Sequence, residues 1–136
     1  MAGVLMNTQT TINRIYEYVE MVQGMQDDYF RVHKYTHSPS NEVDVKLGRR
    51  YAKVILKDRE WGPQNTPMTL NKHKSVHTFI DMHTGDILKA AGWNAPALNK
   101  PRGNIFNDNY EISWTGPKYL PGSTGMPHYE MKEGTA

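Results

Sequence analysis

The sequence predicts an α+β fold, and three observations predict it. An N-terminal stripe of apolar residues has helical spacing, the period changes to two at Val43, and glycine and proline interrupt the last third. The expected architecture is one domain over residues 1–114, a helix packed on an antiparallel sheet of about four strands, followed by an extended C-terminal arm over residues 115–136. A length of 136 residues suits one domain. Hydrophobic residues make up 38%, so the core is small, yet three Trp, eight Tyr and three Phe are too many for a wholly disordered chain.

Taken in order, Thr10-Thr11 can cap a helix whose apolar residues Ile12, Ile15, Tyr16, Val19 and Val22 fall on one face toward the core. Gly24 and Asp27-Asp28 set its expected end, giving a helix over about residues 10–25. Tyr29, Phe30, Val32 and Tyr35 then read as a strand over 29–36, and His37-Ser38-Pro39-Ser40-Asn41 as a loop. Val43, Val45 and Leu47 alternate with Asp44 and Lys46, which marks a half-buried strand. Gly48 suggests a tight turn or bulge before a second strand over 49–57. Residues 61–69, with Gly62, Pro63 and Pro67, read as a loop. Residues 75–80 and 87–91 flank Asp81-Met82-His83-Thr84-Gly85-Asp86, a hairpin in which Gly85 takes the left-handed conformation. Residues 110–114 read as one further strand. The arm lacks regular structure but keeps Tyr119, Leu120, Met126, Tyr129 and Met131 as anchors for docking on its own body or on another subunit.

Several function classes lose support at once. No apolar run reaches the length of a membrane span, and the start MAGVLMNTQTT does not read as a secretory leader. With no Cys there are no disulfides, thiol nucleophiles or thiolate metal sites. The pairs His33/His37 and His73/His77 fall in strand or loop contexts, where residues four apart lie more than about 10 Å from each other, too far to share one ion. These histidines are expected at the surface. Asp44-Val45-Lys46 after Glu42 has the carboxylate and lysine of a metal-dependent nuclease but lacks the upstream acidic strand. No phosphate-binding loop, dinucleotide fingerprint or nucleophile elbow is present. The expectation is a protein without enzyme activity, cofactor or bound metal.

Charge is unevenly spread. The formal net charge is +2, but residues 46–105 hold eleven cations against four anions, while both ends are acidic. Within that basic block Tyr51, Trp61, Phe79 and Trp93 are interleaved with Lys and Arg. Cations that follow phosphates beside rings that stack on bases are the ingredients of single-strand binding. Tyr51 and Phe79 are the expected core members, and Trp61 and Trp93 the surface ones. Arg49, Arg50, Lys53, Lys57, Lys72, Lys74, Lys89 and Arg102 are the candidate phosphate contacts, with Trp61 and Trp93 as stacking platforms. Tyr51, Lys53 and Lys57 share strand parity, whereas Arg50 points to the other side.

Three longer segments stand out: Gly48-Arg49-Arg50-Tyr51-Ala52-Lys53-Val54, Ser75–Asp81 with Thr84-Gly85-Asp86-Ile87-Leu88-Lys89-Ala90-Ala91, and Trp93 with Ala95-Pro96-Ala97 and Arg102-Gly103-Asn104. Together they resemble a family of small, mostly uncharacterised proteins of tailed bacteriophages. The resemblance covers about residues 48–107, and the sequence departs from the family pattern at Gly92 and Asn94, where Ser and Lys are usual. It implies a phage protein acting in the host bacterial cytoplasm or in the virion, and brings no agreed activity. Three functional expectations result. The first is binding of nucleic acid, in particular single strands, through the basic sheet and hairpin. The second is a structural or host-protein-interaction role through the arm and aromatics, as a homo-oligomer or part of a larger assembly. The third is a nucleotide-sized ligand site beside Trp93 and Arg102.

Overall fold

The computed structural model describes residues 8–107, 110 and 112–118. One helix, α1 (Thr8–Val32), precedes four strands, β1 (Glu42–Leu47), β2 (Tyr51–Trp61), β3 (Pro67–Asp81) and β4 (Ile87–Leu88). All neighbours are antiparallel and sheet order follows chain order, so the sheet is a meander. A small hairpin of β5 (Ile112–Ser113) and β6 (Gly116–Pro117) completes the described fold. The α+β class expected from the sequence is the one observed.

The buried stripe of α1 is Thr11, Ile15, Tyr18, Val22 and Gln26, steps of four or three that keep one face on the sheet. Tyr16, expected on that face, is half exposed, and Tyr18 takes the inward place. The inward sheet residues are Val43 of β1, Ala52, Val54 and Leu56 of β2, Ile80 of β3 and Ile87 of β4. Burial of side chains such as Ile15 and Val22 stabilises the fold by about 1.5–3 kcal/mol each.

The helix runs through Gly24 and Asp27-Asp28 to Val32, and the strand expected at 29–36 does not form. The reason lies in how α1 stops. Lys34 is left-handed (φ 57°), its N–H reaches the Arg31 carbonyl at 3.1 Å, and the Tyr35 N–H reaches the Phe30 carbonyl at 2.9 Å. This is a Schellman motif, and its usual apolar contact is the edge-on pair of Phe30 and Tyr35, with centroids 5.3 Å apart. The aromatic residues that read as strand formers close a helix instead. Tyr29 stacks on both His33 and Trp114, at 4.0 and 3.9 Å.

β2 extends to Trp61, and β3 begins at Pro67, so the loop expected over 61–69 is shorter and residues 67–74 are strand. Two irregularities interrupt the β2–β3 pairing. Val54 faces Thr78 while Ile55 faces Val76, so His77 is the extra residue of a bulge. Further on, Lys57 faces Lys74 and Arg59 faces Thr69. The hairpin after Asp81 turns at Gly85 (φ 81°) as expected, though its return strand is only Ile87-Leu88.

The start of the predicted arm belongs to the body. Gly116 and Pro117 are buried and paired with Ile112 and Ser113, so a boundary at 114/115 falls inside a hairpin. Residues Tyr119, Leu120, Met126, Tyr129 and Met131, the expected anchors, lie outside the described residues.

Candidate functional site

Strand parity puts Lys46 of β1, Tyr51, Lys53, Ile55 and Lys57 of β2, and Lys74, Val76 and Phe79 of β3 on the sheet face opposite α1. Lys46 and Lys53 are Cα partners, and so are Lys57 and Lys74. Partners on adjacent strands lie about 5 Å apart, and Lys53 and Lys57 about 13 Å apart along β2. Two carboxylates share the face, since Glu42 pairs with Lys57 and Asp44 with Ile55. Lys57 Nζ donates to Asp44 Oδ2 at 2.7 Å. That bond leads in raising the Lys57 ammonium above its ordinary value and in holding the Asp44 carboxyl below its own. Lys57 is thus neutralised by a neighbour, while Lys46 and Lys74 are exposed.

The loop after β4 covers part of this face. Ala90 bridges to Pro96, the Ala91 and Gly92 amides donate to the Ala95 carbonyl at 2.9 and 3.2 Å, and the Ala97 amide donates to Lys89 at 2.7 Å. The loop is rooted at the edge strand, yet it carries Trp93 across β3 to Lys53 on β2. Lys53 Nζ lies 4.2 Å from the Trp93 ring centroid and donates to Asn94 Oδ1 at 3.4 Å. Beneath the loop Ile55, Phe79 and Leu88 form a second, smaller buried cluster, with Tyr51 edge-on to Phe79 at 6.3 Å. Phe79 is core as expected. Trp93 is 45% exposed. An open cleft of about 290 Å³ separates the loop from β3, lined by Ser75, Val76, Ala90, Ala91, Gly92 and Trp93.

Four of the expected site residues are held elsewhere. Arg102 is 3% exposed, its Nε donating to the Lys118 carbonyl at 3.0 Å and its Nη1 to Asn99 Oδ1 and the Lys100 carbonyl at 2.8 and 3.0 Å. It is a structural residue, not a phosphate contact, and a ligand site beside Trp93 and Arg102 has lost one of its two walls. Lys89 Nζ donates to the Pro117 carbonyl at 3.1 Å. Arg50, as its parity predicts, leaves the Lys53 row and pairs with Asp81 through Nε and Nη2 at 3.1 and 3.0 Å. Trp61 is exposed, with its Nε1 donating to the Thr36 carbonyl at 2.9 Å. It stands eight residues along β2 from Lys53, roughly 26 Å away, so the two tryptophans make separate surfaces. Arg49, in the β1–β2 turn, and Lys72, in the irregular part of β3, are both exposed.

The histidines also divide. His73 is exposed and bonded to Asp58 at 3.2 Å, but His77 is buried, against the expectation of a surface group. The bulge turns it inward beside Thr78. Among the described residues, no three His, Asp or Glu side chains converge on a position for a metal ion. Asp44, the carboxylate of the nuclease-like triplet, is occupied by Lys57. No helix among the described residues is long and apolar enough to cross a membrane. Sequence reasoning missed Lys46, although its alternation with Val45 and Leu47 fixes its side of β1. It also missed Ser75 and Val76, which only the bulge and the returning loop bring beside Trp93.

The chain belongs to DUF7717, a family of unknown function, which matches residues 4–120. No curated protein and no solved structure matches it.

Proposed function

We propose that this member of the DUF7717 family is a non-enzymatic nucleic-acid-binding protein that uses the sheet face opposite α1. The observation that carries the reading is the juxtaposition of Lys46, Lys53 and Lys74 with the half-exposed Trp93 on one side of the sheet. Lysines hold a phosphate chain by charge, and an exposed indole offers a flat platform to a base. Arg49 and Lys72 extend the basic rim, and Lys57 contributes through exchange of its Asp44 partner for phosphate. The resemblance of residues 48–107 to tailed-phage proteins supports a place of action in a bacterial host or a virion.

Fluorescence anisotropy with labelled single-stranded and duplex DNA, at about 50 and 200 mM salt, tests the reading. The wild type is expected to bind, and to weaken as salt rises. A Lys46→Gln, Lys53→Gln, Lys74→Gln variant is expected to lose most of the affinity, while Arg31→Gln, on the exposed end of α1, keeps it. Absence of binding to either DNA at low salt ends the proposal.

One observation favours a second reading, contact with a protein partner. Tyr35, Trp61 and Met68 are exposed apolar groups near the β2–β3 turn, with Trp61 bonded to Thr36 and Met68 against Gly62. Its mark is an affinity that Trp61→Ala abolishes and the lysine variant does not.

A further inference from the structure

We infer that the cleft between the 90–96 loop and β3 is a seat for one unpaired nucleobase, which makes the protein a reader of single strands. The inference rests on the nucleic-acid reading above and adds the class of ligand and the place it enters. The cleft measures about 290 Å³ and is shallow, open to solvent over most of its extent. That is near the lower limit of small-molecule sites, enough for a single heterocycle and too little for a base pair. Its walls are the chemistry a base face requires. Trp93 supplies an indole ring, while Val76 and the Ala90 and Ala91 methyls supply apolar contact. Two charges flank it in the way a strand needs. Lys53 lies against the Trp93 ring, and Lys74 directly precedes Ser75 of the lining.

Ser75 also lines the cleft. Gly92 lines the cleft, and a Cβ built there meets nothing within 4 Å, so a larger side chain fits at that position without disturbing the fold. A paired base cannot enter without leaving its stack, so the cleft discriminates against duplex.

The test compares two single strands with the same phosphates, a short oligothymidylate and its abasic counterpart, on the full chain. The intact strand is expected to bind roughly tenfold more tightly, with quenching of indole fluorescence, and both strands to show the same salt dependence. Trp93→Ala removes the platform. Gly92→Leu fills the mouth from a position where the fold has room for a side chain. Each is expected to bring the two affinities together while the salt dependence stays. Equal affinity of the wild type for both strands overturns the base seat and leaves the broader reading standing. Duplex binding as tight as the intact single strand overturns it as well. If neither strand binds at low salt, the seat falls together with the reading it rests on.

Discussion

At the scale of single residues, the most informative group is His77. Its Nε2 lies 2.9 Å from the Ser113 carbonyl, which can only accept, so Nε2 carries the proton. Nδ1 then accepts from the Thr78 hydroxyl, and Thr78 Oγ1 accepts from Tyr18 at 2.8 Å. The neutral imidazole thus completes a chain of donors from α1 to β5. Burial, with a lesser contribution from Lys89 and against the pull of the Ser113 carbonyl, lowers its pKa to about 4. Tyr18, Tyr110 and Lys89 are the titratable groups around it, and burial keeps the Tyr18 phenol neutral throughout. Because the folded value lies below the unfolded one, the stability this group contributes is complete above about pH 6.5. It is lost as pH falls toward 4, to a total of roughly 3 kcal/mol. Urea unfolding between pH 7.5 and 4 should show this decline, and His77→Gln should flatten it while lowering stability at neutral pH. Parallel curves would contradict the assignment. Asp81 acts in a separate range. Burial raises its carboxyl, but Arg50 and the amides of His83 and Thr84 more than offset this and hold it below its ordinary value. Its contribution is lost only as pH falls below about 4. None of this was legible from the sequence, where His77 is one of two histidines four apart. The bulge that turns it inward is a property of pairing between strands, and a single strand's residues do not announce it.

At the scale of elements, turn chemistry was the legible part, and two glycines show why their substitutions should differ. Gly85 closes the β3–β4 hairpin at φ 81°, and a Cβ there would stand 2.8 Å from the Phe106 ring. Gly116 has φ 138°, and a Cβ would stand 2.7 Å from the His77 carbonyl oxygen. Phe106 is partly exposed and its ring can swing aside, whereas the obstacle at Gly116 is backbone inside the bulge. Gly85→Ala is expected to cost about 1–2 kcal/mol and Gly116→Ala about 3 kcal/mol or more. Equilibrium unfolding of the two variants checks the order. The end of α1 gives a prediction of opposite sign. Lys34 occupies the left-handed position of the Schellman motif, where glycine fits without strain. Lys34→Gly should therefore stabilise the protein by about 0.5–1 kcal/mol, read as a higher urea midpoint with unchanged slope. The strand expected at 29–36 shows the limit of propensity. Tyr29, Phe30 and Tyr35 suit a strand locally, but ring contacts with one another and with Trp114, far along the chain, hold them at a helix terminus. The second apolar cluster under the 90–96 loop was half legible, through Phe79 and the parity of Tyr51 and Lys53. The loop's return across β3 was not.

At the scale of the whole molecule, the sheet separates two environments, a helix-covered core and a cationic face partly roofed by the 90–96 loop. The composition of residues 46–105 foretold an excess of cations there, and strand parity foretold which of β2's would share a side. What it could not foretell was which cations are already used, because their acceptors are backbone carbonyls and every residue has one. The C-terminal segment depends on the same chemistry. The carbonyls of Ser113, Trp114, Pro117 and Lys118 accept from His77, Gln26, Lys89 and Arg102 respectively. Those four side chains come from β3, α1, the stretch after β4 and the following loop, so residues 112–118 act as a clasp across the body. His77, Gln26 and Arg102 are buried, and removing the clasp would strip each of one hydrogen bond. Each buried polar group left without its bond costs about 1–3 kcal/mol. A chain ending at residue 118 keeps every one of these acceptors, while a chain ending at residue 111 loses all four. The shorter chain is expected to be less stable than the longer by about 4 kcal/mol or more. It should also lose the acid dependence of His77, since an accessible imidazole titrates near its unfolded value. Urea unfolding of the two truncations at pH 7.5 and 5 reads both effects. Equal midpoints would mean that the clasp contributes no stability and that the body ends at residue 111.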